Sequence, residues 1–390
     1  MVDLLPLTTY NDSVKLNWSV NYKHQPGVVT LTRKAEGRET ELIKLHNLAI
    51  TTYTDKNIPY TTEISYKITA EVIYDPKKSE SNTQSYIRKD IRFSNVKAFD
   101  ILFDQGNKLI YFLGKEGDIQ IFDLTADKIT ASINSGLQIG YSDLGMYNNS
   151  NELYVPRNDG WIFVYDATTL VKKDQILVGA GIKPGFVVYN NGMLFVNTDA
   201  WMNNPLRVYS RPGRNLLSQG GFWNDRRIKV IPGSNSELIE VSMSPSGLPV
   251  SYYAFDLSGK PVTEKRNILM NSYIAHGKIF EMFPSGEKFI TGEDGNILNK
   301  NLELVSKLQN INKKFNSYYF DVSANEILAG TADKSIEIFS MSTNQHIRSI
   351  NTTYYPYKIF KSDNKILVIG AYYKRDNNYD IPEKLFIEII

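Results

Sequence analysis

From residue 96 to residue 390 the chain repeats a pattern about every forty residues, seven times over. Each unit opens with a strand that ends on an apolar residue: Phe103, Tyr147, Tyr189, Ile231, Phe283, Val322 and Phe360. A polar turn follows, such as Asp104-Gln105-Gly106-Asn107 or Pro284-Ser285-Gly286-Glu287, and then a second apolar strand, as in Leu109-Ile110, Leu153-Tyr154 or Ile366-Leu367. Third strands end in an aromatic-polar pair in Phe122-Asp123, Tyr165-Asp166, Tyr209-Ser210, Phe255-Asp256 and Phe339-Ser340. Glu116-Gly117-Asp118, Asp159-Gly160 and Asp294-Gly295 are hairpin chemistry between second and third strands. The period predicts four antiparallel strands per unit, and a single such unit cannot bury both of its faces.

The units must therefore stack, and the stack must close, because an open one leaves two sheet edges unpaired. The pattern resembles WD40- and YVTN-like repeats, whose blades close into a β-propeller, and predicts a seven-bladed propeller over residues 83–390. The last unit has only three strands before the chain reaches Ile390. The orphan run at residues 85–93, Ser85 to Phe93, is expected to supply its outer strand and latch the ring. That latch would bring the first domain in from one face and leave open the face that carries the fourth-to-first and second-to-third strand loops.

Residues 1–82 read as a separate small sandwich. Val14, Leu16 and Trp18 alternate with polar residues, as do Ile64, Tyr66, Ile68, Ala70 and Val72. Short strands divided by turn signals in under a hundred residues point to two packed sheets. Val14-Lys15-Leu16-Asn17-Trp18, Thr52-Tyr53-Thr54-Asp55 and Tyr66-Lys67-Ile68-Thr69-Ala70 resemble strands of a fibronectin type III domain, with Trp18 as its core tryptophan. The resemblance covers roughly residues 5–80. The family's corner tyrosine falls at Ile64, so its hydrogen bond is expected to be missing. The expected fold class is all-β throughout.

Composition narrows the function. Charges of both signs are mixed and sum to +2, without the basic block a nucleic acid would require. The chain has no cysteine, which removes disulfides, thiolate metal sites and cysteine nucleophiles. Its four histidines, His24, His46, His276 and His346, show no ligand spacing, so no transition metal and no other cofactor is expected. Asp376, Asp380 and Glu383 share a loop and could hold calcium through oxygen, although a solvated loop is the plainer reading. No HExxH, GxSxG or P-loop is present. No run of eighteen apolar residues would span a bilayer, and the first residues are not a signal peptide. A lipid anchor upstream of Met1 stays open.

The remaining signal is aromatic. Trp161, Trp201 and Trp223 fall in the second-to-third and fourth-to-first strand loops of neighbouring units, which emerge on the same face. Tyr141 lies in an adjoining loop with Arg227 near, and Tyr355 and Tyr372 belong to the last unit. Flat rings beside Asn, Asp and Arg suit a sugar or a peptide, and the alternative is that they pack between blades. These seven residues are the expected ligand surface of a monomeric, non-catalytic binding protein with a carbohydrate or protein ligand. Similar pairings of fibronectin-like modules with propellers imply an extracellular, cell-surface or periplasmic adhesion or binding protein. The rivals are a polysaccharide lyase or hydrolase with a carboxylate pair in the channel mouth, and an intracellular WD40-type scaffold.

Overall fold

The computed structural model describes residues 2–10, 13–20, 26–72, 75–88, 90–201, 203–243, 250–267, 275–374 and 381–390. All of its regular structure is β, in two compact units, residues 1–91 and 92–390.

The first unit has two antiparallel sheets. One joins Val2–Leu4, Thr8–Thr9, Val14–Val20 and Thr52–Asp55, and the other joins Arg38–Leu45, Pro26–Ala35, Glu63–Val72, Asp75–Glu80 and Gln84–Ile87. Trp18 sits in the core with Leu16, Leu31, Ile64 and Ile68, as strict alternation along both strands requires. Ile64 makes no corner bond. Two residues on, the buried Tyr66 hydroxyl donates to Asp55 Oδ2 at 3.0 Å, and Arg33 holds the same oxygen at 2.8 Å. Burial beside the Asp55 carboxylate pushes the Tyr66 phenol well above its ordinary value.

The run at residues 85–93 is not one strand. Gln84–Ile87 pairs with Glu63–Val72 in the first unit, with Ile87 opposite Glu63, and Tyr86 packs on that unit's core. The Arg88 guanidinium then forks onto Asp90 at 2.7 and 3.1 Å, and the chain turns away. Only Arg92–Ser94 pairs with the last strand, Leu385–Ile389, in the register Arg92 to Ile387 and Ser94 to Leu385. The expected latch is thus three residues long, and the expected boundary at 82/83 moves to 91/92.

Among the described residues the second unit contains seven four-stranded antiparallel sheets. Six are contiguous meanders, and the seventh joins Tyr355–Ser362, Lys365–Ala371 and Leu385–Ile389 to Arg92–Ser94. Apolar cores lie between successive sheets: Tyr111 with Leu153, Ile162 with Leu194, Phe195 with Leu238, Ile239 with Phe289, Ile297 with Ile327, and Ile338 with Val368. A further core joins the seventh sheet to the first through Ile369, Leu385, Ile110 and Phe112. Each of these side chains is essentially fully buried, which contributes about 1.5–3 kcal/mol apiece.

The aromatic-polar pairs acquire a local explanation. In the first six sheets the fourth strand carries one extra residue opposite the end of the third, for instance Lys173 opposite Val164–Tyr165 or Ile347 opposite Ile338–Phe339. The bulge twists the strand into its turn. The polar residue then caps that turn: Asp166 Oδ1 accepts from the Thr168 and Thr169 amides at 3.1 and 2.9 Å, and Asp123 and Asp256 do the same.

Candidate functional site

Two cavities of the second unit are built from its repeats. The first is formed by second-to-third and fourth-to-first strand loops of the first four sheets and has a volume of about 200 Å³. Its wall is stitched by backbone. The Gly140 amide donates to Pro156 O and the Tyr141 amide to Gly185 O, both at 2.8 Å. A Cβ at Gly140 would overlap the Gly185 carbonyl oxygen, so this approach requires glycine. The lining includes the amide side chains of Gln138, Asn158, Asn197 and Asn224, with Lys115 and Lys183 set against Asp199 and Asp225. Burial lowers the Lys115 ammonium's proton affinity and raises that of the Asp225 carboxyl, which Arg226 and Lys115 partly offset.

The three tryptophans sit on the loops that make this wall, yet none of the indoles lines it. Trp161 begins the strand Trp161–Asp166 and is half-buried, and its carbonyl accepts from Arg157 N at 2.8 Å, beside the lining residue Asn158. Trp201 is 58% exposed, and its amide donates to the carbonyl of the lining residue Asp199 at 2.7 Å. Trp223 packs edge-on against Phe222 at 4.8 Å, and its carbonyl accepts from Asn197 Nδ2 at 3.3 Å. Tyr355 and Tyr372 lie elsewhere and share Lys334, whose Nζ is 5.2 and 5.8 Å from their rings.

Tyr141 and Arg227 belong to the second cavity. It lies where the first strands of all seven sheets converge, as a wide part of about 350 Å³ and a narrow part of about 40 Å³ that share these two residues. Tyr141 stacks on Phe186 at 5.0 Å with the Arg227 guanidinium 4.6 Å from its ring centre. Arg227 also binds Asp100 Oδ1 at 3.1 Å. Below them Glu281 takes two ammonium groups, Lys229 on Oε2 and Lys358 on Oε1 at 2.6 Å. Burial alone would raise the Glu281 carboxyl, but the two lysines outweigh it and hold it near 2. Burial lowers Lys229 to about 8 against the pull of Glu281. Asp143 accepts the Tyr189 amide at 2.8 Å, and burial still pushes its carboxyl up to about 7.

Asp100, Lys229, Glu281 and Lys358 were not found by reading loops, because they lie in first strands. A signal was present. Lys229, Glu281 and Lys358 each precede the strand-ending apolar residues Ile231, Phe283 and Phe360 by two positions, so a charge occupies the equivalent place in three units.

His346, Glu337 and Ser349 lie together but are not arranged as a hydrolase relay. His346 Nε2 meets Glu337 Oε2 at 2.8 Å, and Ser349 Oγ lies 3.5 Å from that same nitrogen. A relay needs base and orienting carboxylate on opposite ring nitrogens. His276 is buried, its Nδ1 accepting from Lys278 N at 3.1 Å, and burial beside Lys278 lowers it to about 4. His24, Asp376 and Asp380 lie outside the described residues, and Glu383 pairs with Lys97. Among the described residues no group of three His, Asp or Glu is placed to hold a metal ion, and no helix is long and apolar enough to cross a membrane. No protein-family model matches the chain, and a search of curated proteins finds no match.

Proposed function

We propose that residues 92–390 form a closed seven-bladed β-propeller, that residues 1–91 form a fibronectin-type-III-like sandwich, and that the chain is a non-catalytic binding protein with a glycan ligand. The cyclic order of shared cores, with Ile369 and Leu385 of the last sheet against Ile110 and Phe112 of the first, supports the ring. The pairing of the first unit's strands in a smaller and a larger sheet around Trp18 supports the sandwich.

The observation that carries the function is the loop cavity. It is smaller than a drug-sized pocket, rich in amide groups and flanked by the exposed indole of Trp201. Amides that donate and accept at once suit hydroxyl groups, and an indole covers the C–H face of a sugar. A protein ligand would call for a broader apolar patch than one indole. Placement outside the cytoplasm belongs to the same proposal and rests on the resemblance of the two modules to adhesion proteins.

A glycan screen on the intact protein tests this. Trp201→Ala should weaken the best glycan by roughly fivefold and Asn158→Ala by a similar factor, while Val171→Ala on an opposite turn leaves it unchanged. Equal binding by all three folded variants would refute the site. A second reading, a polysaccharide hydrolase or lyase, is favoured by Asp143 near 7 and Glu281 near 2 in one cavity, the separation that assigns acid and base. Release of reducing ends from a bound polysaccharide, abolished in Asp143→Asn, would establish that reading instead.

A further inference from the structure

We propose that the cavity at the convergence of the first strands is a second binding site, built for a sugar acid. Two buried acceptors on its narrow part have no donor. Asp100 is 5% exposed, its Oδ1 takes Arg227, and its Oδ2 has no partner. Asn316 is 9% exposed, its Nδ2 donates to Thr331 O at 2.9 Å and Pro356 O at 3.1 Å, and its Oδ1 has no partner. Leaving such oxygens dry is costly, so the space asks for O–H or N–H donors.

The charge of the wall decides between donors. Arg227, Lys229, Lys278 and Lys358 face Asp100, Asp143 and Glu281 across the two parts of the cavity. One carboxylate, Glu281, is shared by two ammonium groups, which leaves a positive charge over. Asp143, near half-protonated at neutral pH, does not cancel it. An ammonium ligand would satisfy the orphan oxygens but meet four cations. A molecule with several hydroxyls and one carboxylate satisfies both demands, the hydroxyls at Asp100 and Asn316 and the carboxylate toward the lysines.

The backbone is shaped for the same purpose. First strands carry an extra residue between Ala98 and Asp100, between Phe315 and Ser317, and between Pro356 and Lys358. The inserted residues, Phe99, Asn316 and Tyr357, all line the narrow part. Bulges re-aim side chains where a site needs them. The wide part has room for a sugar ring, and Tyr141 and Arg227 connect it to the narrow part.

Calorimetric titration of the intact protein with glucuronate, galacturonate and gluconate tests the site, with glucose, galactose and acetate as probes lacking either the charge or the hydroxyls. At least one acid should bind, and its neutral parent and acetate should be weaker by about tenfold or more. Asp100→Asn and Lys229→Gln, which touch only this cavity, should each weaken that acid by about tenfold, and Val171→Ala, on an exposed turn outside both cavities, should leave it unchanged. Equal binding of acid and neutral parent, no binding of any acid, or folded variants that bind like the unaltered protein would overturn the proposal. Should the variants not fold, a crystal of the unaltered protein soaked in the acid decides. Density against Asp100 Oδ2 supports the site, and density elsewhere overturns it.

Discussion

Asp143 and Glu152 lie on adjacent strands of the second sheet, Asp143–Tyr147 and Ser150–Pro156, and the fold treats their charges in opposite ways. Glu152, between the second and third sheets, is gripped by Arg211 through two bonds of 2.8 and 3.0 Å and accepts the Tyr154 hydroxyl at 2.7 Å. Arg211 reaches on to Asp174 at 2.9 Å. Asp143, at the convergence of the first strands, has backbone amides for company and is lifted to about 7. Glu337, in the sixth sheet, is also ringed by partners: burial alone would raise this carboxyl, yet Lys313, Ser349, Ser335 and His346 together hold it near 2. Glu152 and Glu337 are thus saturated with partners and serve cohesion. Where the first strands converge, Asp143 has only backbone amides and Asp100 Oδ2 has no partner, and that is where a ligand can supply what is missing.

The difference can be broken from its stronger side. Arg211→Ala strands Glu152, which is 2% exposed, and should cost about 3–5 kcal/mol in a denaturant or thermal titration. A loss below about 1 kcal/mol would mean the cluster is not the clamp it looks like. Glu337→Gln should cost less, about 1–3 kcal/mol at neutral pH, and should change the acid limb. The folded carboxyl lies near 2, below its ordinary 4.5, so its contribution is present above about 4.5 and is lost as pH falls toward 2. The variant should therefore lose less stability than the unaltered protein over that interval.

Asp143→Asn should show a smaller effect of opposite sign. Its folded carboxyl is raised from 3.8 to about 7, so its contribution is complete below about 3.8 and is lost as pH rises through 7. Stability measured at pH 5 and pH 8 should fall less in the variant. Glu240, likewise lifted by burial to about 7, gives both proteins a common slope, which the comparison removes. Smallest of all should be Tyr66→Phe, at about 1 kcal/mol, because Arg33 still holds Asp55 at 2.8 Å. A cost near that of Arg211→Ala would show that a single hydroxyl anchors the first unit.

The strands were readable because repeats and alternation are local properties. Gly160 and the turn-capping Asp166 announce where strands end, and those positions match the sheets. The run at residues 85–93 was misread as one strand because nothing in Ser85-Tyr86-Ile87 distinguishes a partner in one unit from a partner in the other. Only Tyr86 on the first core and the Arg88–Asp90 fork separate them. At the sites, loop position grouped Trp201 with Tyr141 and Arg227 on one surface, whereas the chain at Trp201 runs beside the first cavity and Tyr141 and Arg227, at strand starts, line the second. Asp100 and Asn316 had no local mark. They meet only because separate sheets converge, a relation of high sequence separation that spacing does not display.

The seventh sheet has a consequence in time. Arg92–Ser94 leaves the ribosome before the six sheets that follow it, while its partner Leu385–Ile389 is made only after them. The six contiguous meanders can pair as they emerge, because each strand's neighbour has just been synthesised. Arg92–Ser94 instead waits as an open edge through nearly all of the unit's synthesis, and its brevity, three residues, keeps that edge a poor template for other chains. The first strand of the unit to be born is the last to be paired.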